Sequence, residues 1–437
     1  MHSNLLIKKS SPSFNSERIQ KLMNLFAFLI ALPFLDVFSN SAYFYIFLLI
    51  CFHSYKKGYS IFGMSSFSKK LGYMFGFGVI STIFHPPLEA AEMTMSSSLL
   101  MVFRHFYWFA IGAFFYENFR WINWLLFAKW ISIGLFVQCL LFYTVSIKYD
   151  SFLISITTGF QRNAFVFNII TFSGFFIFYL VNRYGKKYFL LASTFIVLIL
   201  LFTNGRSGAV ISLLLLLFNS LIFYRMMSKN IKVLLYVLLP FIVVIYINDD
   251  FGLIDRNAIG NSFETISPRF SELIKGEESG DLAEDKSWLI RELMLTKTLE
   301  IFSEYPLLGI GYDHFKAYDA KLASMLDDKF YRLRNDSKDY LNTRSSHNSY
   351  AEYLANTGIV GFAFLLSFII SIFISYFKGL SFNSGDLILI IIGGFIGAAI
   401  HGYAITAFTG ANFWLLMGIS AGFFKSNNSK NYAVKIP

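Results

Sequence analysis

The chain has 437 residues, of which 55% are apolar and 15% are charged, whereas soluble proteins contain about 45–50% apolar and about 25% charged residues. Its 53 phenylalanines and mean hydropathy of +0.54 exclude a disordered chain and an ordinary soluble domain, because a domain of this size cannot hide so much apolar surface from water. The composition therefore predicts an integral membrane protein with a net charge of +10.

The charged residues are concentrated in residues 248–357. This segment holds 13 basic and 20 acidic residues, whereas the rest of the chain holds 24 basic and 7 acidic residues. The positive charge therefore belongs to the hydrophobic part of the chain, which argues against nucleic acid as a partner. The two cysteines, Cys51 and Cys139, lie in apolar runs, and they cannot form a disulfide framework or a thiolate metal site.

Twelve apolar runs are candidate transmembrane helices, since a bilayer core about 30 Å thick requires roughly 17–25 apolar residues per helix. The predicted spans are residues 22–38, 41–54, 71–84, 99–115, 121–145, 164–181, 188–203, 207–224, 231–247, 358–377, 386–405 and 408–424. The second and third are short, and either merge with flanking residues or are partly re-entrant. We therefore expect an all-α integral membrane protein. Residues 1–247 and 358–437 form one membrane domain, into which residues 248–357 are inserted as a single large loop.

The distribution of basic residues predicts the orientation of the helices. With a cytoplasmic N-terminus, the cytoplasmic segments hold 19 Lys and Arg residues, and the short outer loops hold only Lys148, Arg162 and Arg206. Cytoplasmic loops carry such an excess of basic residues. Both termini are therefore expected in the cytoplasm and the large loop outside it. No cleavable signal peptide is expected, because no clear small-residue cleavage site follows the polar N-terminus.

The large loop contains a predicted amphipathic helix over Ser287–Tyr305, with apolar residues at about helical spacing. Pro306 ends this helix. The following Leu308-Gly309-Ile310-Gly311-Tyr312 predicts a turn that the two glycines permit, and a second helix is predicted over Asp313–Lys329.

The end of the loop predicts a further helix from His347 to about Asn356, with Ser346 as its N-cap. Gly358 ends this helix where the next span begins. The helix is therefore expected to lie on the membrane surface.

Two arginines in the short outer loops are exceptions to the topology rule. Arg162 and Arg206 adjoin glycine-containing turns with few carboxylates nearby. Each either extends to lipid phosphates or binds a dedicated anionic ligand. Arg291, Arg344 and His347 are predicted on the same side of the membrane, which favours a phosphate site, because guanidinium groups bind phosphate oxygens bidentately.

His347 has two interpretations. It is either an ordinary surface histidine or a general base, because a neutral imidazole accepts a hydroxyl proton near neutral pH. Its predicted position in the first turn of a helix favours the neutral form and an adjacent anion. His401 is a single polar residue inside a predicted span, and no role is assigned to it. Tyr312, Phe315 and Tyr350 are candidates for stacking on sugar rings.

Three motifs together resemble the signature of the O-antigen ligase and polymerase superfamily. They are Asn204-Gly-Arg206-Ser-Gly-Ala, Pro306-Leu-Leu-Gly-Ile-Gly-Tyr312, and Arg344-Ser-Ser-His347-Asn348-Ser-Tyr-Ala-Glu352 continuing to Gly361. The resemblance covers roughly residues 160–365. It implies a GT-C-like membrane glycosyltransferase of the bacterial inner membrane, which uses an undecaprenyl-diphosphate-linked glycan donor on the periplasmic side.

Carried over by position, the resemblance implies that Arg206 and Arg291 bind the diphosphate and that His347 is the base. Arg162, Arg344 and Asn348 are further candidates for diphosphate binding. The expected reaction is a single inverting displacement, in which the protein stabilises the charge on the leaving diphosphate. The chain contains no Asp-x-Asp pair, so we expect no metal and no cofactor.

The sequence leaves two alternatives for the acceptor of the glycan. A polymerase uses a second lipid-linked repeat unit, whereas a ligase uses the lipid A core; the residue usage leans towards a polymerase. A flippase for the same lipid is the alternative from another class, although transporters of this kind have repeated halves. Membrane lipids are expected partners, and a chain-length regulator is a further candidate.

Overall fold

The structure is a computed structural model that describes residues 16–32, 36–63, 65–85, 95–148, 162–185, 188–202, 286–312, 314–316, 318, 348–381, 388–402 and 410–433. These residues form helices and short connections, and no β-strand occurs among them. The all-α part of the predicted fold is therefore confirmed for the described residues. The predicted spans at 207–224 and 231–247 lie outside them.

The helices are numbered here in chain order. They are α1 (Glu17–Ile30), α2 (Asp36–Lys56), α3 (Ser66–Phe84), α4 (Met95–Glu117), α5 (Trp124–Lys148), α6 (Arg162–Tyr184), α7 (Tyr188–Phe202), α8 (Lys286–Glu304), α9 (Ser349–Ser381), α10 (Ile388–His401) and α11 (Ala411–Ala433), with short 3-10 helices at Phe119–Trp121 and His314–Lys316.

Apolar and aromatic side chains pack these helices into one continuous core. Helix α1 lies against α2 and α5, α5 against α6, and α6 against α7 and α10. Helix α11 joins α10 to α4, and α3 joins α4 to α9, which packs against α8. The core is rich in phenylalanine, so the bundle itself buries many of the aromatic rings of the chain.

Three described helical segments are long and apolar enough to cross a membrane: Trp124–Phe142, Phe165–Tyr184 and Ser349–Lys378. Ile388–His401 is a shorter apolar helix. These segments correspond to predicted spans 5, 6, 10 and 11. The chain is therefore a helical membrane protein, and the number of 12 crossings stays a prediction.

The predicted span at 22–38 is not one helix. Helix α1 ends at Ile30, and α2 begins at Asp36. Pro33 explains the break, because proline disfavours helical geometry at the residue before it and lacks an N–H. Helices α2 and α3 extend beyond the predicted spans 41–54 and 71–84, and the choice between full crossings and partly re-entrant segments stays a prediction.

The predicted helix over Ser287–Tyr305 is confirmed as α8, one residue away at each end. The predicted helix beginning at His347 needs correction, because α9 begins at Ser349 and continues to Ser381. Gly358 interrupts α9 with a non-helical conformation (φ 61°, ψ −169°). The predicted break is thus present as a kink between two helical segments. Of the helix predicted over Asp313–Lys329, the described part contains only the 3-10 turn.

Candidate functional site

The two loop motifs singled out by sequence meet through backbone hydrogen bonds. The Pro306–Tyr312 turn lies against the kink in α9, and four N–H groups and four carbonyls pair there. These hydrogen bonds run from Ile310 N to Ala355 O (3.0 Å), Gly311 N to Asn356 O (2.8 Å), Ile359 N to Pro306 O (2.9 Å) and Val360 N to Leu307 O (3.3 Å). The kink opens the hydrogen-bond ladder of α9, and the turn satisfies the groups that the ladder releases. We call this arrangement the glycine junction.

Two glycines make the glycine junction possible. Gly309 and Gly358 have φ angles of 67° and 61°, in the left-handed region that residues with a Cβ rarely adopt. A Cβ on Gly358 would overlap the carbonyl oxygen of Leu307, and one on Gly309 would lie 2.5 Å from Gly358 N. The two backbones therefore approach too closely for any side chain at either position.

Helix α3 anchors the turn to the bundle. Ser81 Oγ donates a hydrogen bond to Gly309 O at 3.0 Å, and Tyr312 N donates to Thr82 Oγ1 at 3.0 Å. The Tyr312 hydroxyl donates to Met74 O at 3.3 Å, and its ring stacks on His105 with centroids 4.0 Å apart. Burial raises the pKa of Tyr312 well above its usual range, so the hydroxyl stays a donor.

Helix α8 closes the other side of the glycine junction. Phe315 N donates to Asn356 Oδ1 at 3.2 Å, which ties the 3-10 turn to α9. The fully buried Lys297 on α8 lies with Nζ 4.9 Å from the centroid of the Phe315 ring, a cation–π contact strengthened by exclusion of water. Tyr312 and Phe315 are both buried, so they pack within the protein and do not form the sugar-stacking surface considered from sequence.

The start of α9 is held by its cap and by α10. Asn348 Oδ1 accepts hydrogen bonds from Tyr350 N (3.0 Å) and Ala351 N (3.2 Å). Asn348 is therefore the N-cap in place of the predicted Ser346. Ser349 N donates to Gly402 O at 2.7 Å, and the Tyr350 hydroxyl donates to Ala399 O at 2.8 Å. The chain that directly follows His347 is thus fixed to the end of α10.

Arg291 lies in the first half of α8, on the helix that packs against α9. Its side chain is half-buried. Nε is buried and has no hydrogen-bond partner within the described part of the chain. A buried guanidinium N–H without a partner costs free energy, and an anionic ligand would remove that cost.

The other predicted site residues are described less fully. Arg162 is the first residue of α6, but its side chain lies outside the description. Arg206, Arg344 and His347 lie outside the described residues. Helix α6, which begins at Arg162, packs against α10, and Gly402 after the end of α10 accepts a hydrogen bond from Ser349, two residues after His347 in the chain.

Sequence reasoning missed the residues that support the site. Ser81 and Thr82 on α3 and His105 on α4 look like ordinary polar residues in apolar helices, and only their contacts with the turn reveal their role. The one usable signal was the pair of glycines in the turn, which indicated an unusual backbone but not its partner.

The helices and the glycine junction define a helical membrane protein in which part of the large loop is built into the bundle. Residues 190–366 match the family model described as O-antigen ligase. The resemblance to the O-antigen ligase and polymerase superfamily is therefore confirmed over this segment, which contains Arg206, Arg291, Arg344 and His347. Members of that superfamily are glycosyltransferase-like membrane enzymes, which supports an enzymatic function for this chain. No curated protein matches the chain.

Proposed function

We propose that the protein is a periplasm-facing glycosyltransferase of the bacterial inner membrane, which transfers a glycan from an undecaprenyl-diphosphate carrier to an acceptor hydroxyl. The observation that carries the proposal is the glycine junction, which joins the Pro306–Tyr312 motif to the motif that contains His347, on a segment that matches the O-antigen ligase model. The reaction proposed is the joining of lipid-linked repeat units, as in an O-antigen polymerase.

In the proposed mechanism, arginines bind the leaving diphosphate and a histidine acts as the general base. Arg206 and Arg291 bind the diphosphate and stabilise the charge that develops as it leaves the anomeric carbon. Arg162, Arg344 and Asn348 line the same anion site. His347 takes the proton from the acceptor hydroxyl, which attacks from the opposite face and inverts the configuration.

The buried Nε of Arg291, which has no hydrogen-bond partner among the residues that the structure describes, supports the diphosphate role. The fixed start of α9 supports the role of His347, since a base must be held within hydrogen-bond reach of its substrate. The Asn348 carboxamide oxygen serves as the helix cap, so its proposed contact with the diphosphate involves the amide nitrogen.

Replacement of His347 tests the proposal directly. We expect His347→Ala to abolish polymer formation in membranes supplied with lipid-linked repeat units, while binding of undecaprenyl diphosphate changes by less than about threefold, because the arginines remain. His85→Ala is the matched control, since His85 lies at the end of α3 and contacts Tyr305. Undiminished product from His347→Ala would exclude it as the base.

A ligase is the second candidate, because the matching family model is described as O-antigen ligase. A deletion strain separates the two functions. Lipopolysaccharide with a core and a single repeat unit means that a polymerase was lost. A core without any repeat unit means that a ligase was lost.

A further inference from the structure

An arginine on an apolar helix lies outside the residues assigned above. Arg104 is on α4, within the predicted span at residues 99–115, and its side chain is exposed. The guanidinium carbon lies 6.0 Å from the centroid of the Trp108 ring, and Arg104 forms no hydrogen bond or ion pair with the part of the chain that the structure describes. A cation–π contact uses the face of the ring and none of the N–H donors of arginine. The described residues therefore use none of these donors.

Arg104 belongs to a face of α4 that is otherwise buried. Trp108, Ile111 and Phe115 follow it at helical spacing, which places the four side chains on one face of the helix. Trp108 is 5% exposed, and Ile111 and Phe115 are both 0% exposed. Phe115 packs against Phe26 of α1, with ring centroids 5.9 Å apart. This face therefore points into the bundle, and it is open at Arg104.

The length of α1 is consistent with this opening. Aromatic residues of α2 contact α4 in the same order along both helices, so α2 and α4 are parallel. Helix α1 packs against α2 across a short connection and therefore runs antiparallel to α4. From the contact between Phe26 and Phe115, α1 continues for about 6 Å to its end at Ile30, whereas Arg104 lies about 16 Å along α4. Arg104 is thus beyond the end of α1.

The residue after Arg104 connects α4 to the glycine junction. The ring of His105 stacks on that of Tyr312, with centroids 4.0 Å apart, and Tyr312 is the last residue of the Pro306–Tyr312 turn. Arg104 also lies about 20 Å along α4 from Glu117, at the end that is predicted to be cytoplasmic. Arg104 is therefore in the outer half of the bundle, on the side where the large loop is predicted.

The charge of Arg104 determines the kind of ligand that suits it. A charged side chain within a membrane segment is costly, and such residues pair with groups of opposite charge or line substrate paths. A sugar hydroxyl is neutral and does not compensate the charge. A phosphate compensates it, and its oxygens match the planar fork of a guanidinium. The phosphate groups within reach of such a position belong to lipids.

We propose that Arg104 binds a phosphate of the undecaprenyl-diphosphate substrate, an inference that rests on the proposed function. Arg104 lies outside residues 190–366, which match the family model, so α4 supplies a contact with the carrier in addition to those of the matching segment. Phospholipid headgroups carry the same phosphate chemistry. The stacking of His105 on Tyr312 favours the carrier, because it places α4 beside one of the motifs from which the reaction site is inferred.

Binding of two lipids to the purified full-length protein in phosphatidylcholine nanodiscs tests the proposal. One probe is undecaprenyl diphosphate, and the other is phosphatidylglycerol. We expect Arg104→Gln to weaken binding of undecaprenyl diphosphate about tenfold, as loss of one charge-assisted hydrogen bond predicts. Binding of phosphatidylglycerol should stay the same. The melting temperature without ligand should not fall, because the substitution removes an uncompensated charge.

Two further variants complete the experiment. Arg104→Lys keeps the charge but not the planar fork, and it should bind undecaprenyl diphosphate within about threefold of the wild type. Lys129→Gln is the matched control, because Lys129 is also an exposed basic residue within a predicted span. It lies on α5 towards the end that is predicted to be cytoplasmic, so it should change neither affinity.

Each contrary outcome has a distinct meaning. Equal affinities of wild type and Arg104→Gln for undecaprenyl diphosphate would overturn the role of Arg104 and leave the proposed function intact. An equal loss for both lipids would assign Arg104 to phospholipid headgroups and also overturn the proposal. A lower melting temperature with equal losses of affinity in Arg104→Gln and Arg104→Lys would make the residue structural. A wild-type protein that binds no undecaprenyl diphosphate would refute the proposed function itself.

Discussion

Arg291 illustrates how the environment of one side chain supports a chemical role. The resemblance to the superfamily implied that it binds the diphosphate, and the structure adds that Nε is buried without a hydrogen-bond partner in the described residues. An unpaired guanidinium N–H on a half-buried side chain is suited to an anionic ligand, because charge-assisted hydrogen bonds are stronger than neutral ones.

Replacement of Arg291 should weaken binding of the diphosphate. We expect Arg291→Ala to lower the affinity for undecaprenyl diphosphate about 100-fold, and Arg291→Lys to lower it about tenfold, because lysine keeps the charge but not the planar fork. Arg183→Ala, at an exposed position near the end of α6, is the control. Wild-type affinity in Arg291→Ala would remove this residue from the site.

Residue-level prediction failed where two residues close in sequence are both suitable helix caps. Ser346 and Asn348 are both good N-caps, and the sequence alone favoured the first. The structure uses Asn348, and the helix start is also held by the carbonyl of Gly402, just after α10, which accepts a hydrogen bond from Ser349 N. That contact depends on a helix more than 50 residues away along the chain, so local sequence signals do not contain it.

At the scale of elements, the glycine junction is the feature that determines how the large loop meets the bundle. The break at Gly358 and the glycine turn at 309–311 were predictable as irregular backbone. Their pairing was not, because backbone hydrogen bonds between two segments carry no side-chain pattern. The anchoring residues on α3 were unpredictable for another reason, because Ser81 and Thr82 look like ordinary polar residues of an apolar helix.

A side chain at Gly358 should disrupt the glycine junction. We expect Gly358→Ala to destabilise the protein by more than about 2 kcal/mol, since a positive φ costs alanine about 1–2 kcal/mol and its Cβ would overlap Leu307 O. Gly72→Ala on α3 is the control, because nothing lies near a Cβ at that position. Equal melting temperatures of wild type and Gly358→Ala would contradict this account.

At the scale of the whole molecule, an ionic cluster joins α3, α4 and α11 at the end predicted to be cytoplasmic. Glu117 accepts hydrogen bonds from Ser65 and Ser68 and forms an ion pair with Lys425 at 3.1 Å. Burial alone would raise the pKa of Glu117, but the serine hydrogen bonds and the Lys425 ammonium outweigh it and lower the pKa. The Glu117 carboxylate thereby links three helices that are far apart along the chain.

This cluster predicts a dependence of stability on pH. A carboxylate with a lowered pKa in the folded state stabilises the protein above its unfolded pKa, and the contribution disappears as the pH falls through the folded-state value. Glu117→Gln should therefore cost about 1–2 kcal/mol at pH 7, and the difference from wild type should shrink towards pH 4. Melting temperatures at the two pH values measure both effects.

The control for this experiment is Glu17→Gln. Glu17 pairs with Lys21 at 2.8 Å, but both side chains are highly exposed, and exposed pairs contribute little. It should melt like the wild type at both pH values. A Glu117→Gln protein that behaves in the same way would mean that the buried carboxylate does not hold the three helices together.

The sequence predicted the class of fold because lipid exposure leaves a strong signature in composition and in runs of apolar residues. It also predicted the family, from motifs with fixed spacing. It did not predict the break between α1 and α2, although Pro33 marks it, because the apolar run continues through the proline. The contacts between helices could not be predicted from the sequence, since nearly every helix surface in such a chain is apolar.

The glycine junction has a consequence for protein engineering. Because the N–H groups of Ile359 and Val360 on α9 and the hydroxyls of α3 complete the Pro306–Tyr312 turn, an excised fragment of residues 248–357 would lose hydrogen-bond partners on both sides. Grafting the loop from a related enzyme would therefore succeed only if matching stretches of α3 and α9 travelled with it. The part that must be exchanged as a whole therefore consists of the loop and the adjoining stretches of α3 and α9. Its boundaries do not coincide with the membrane surface.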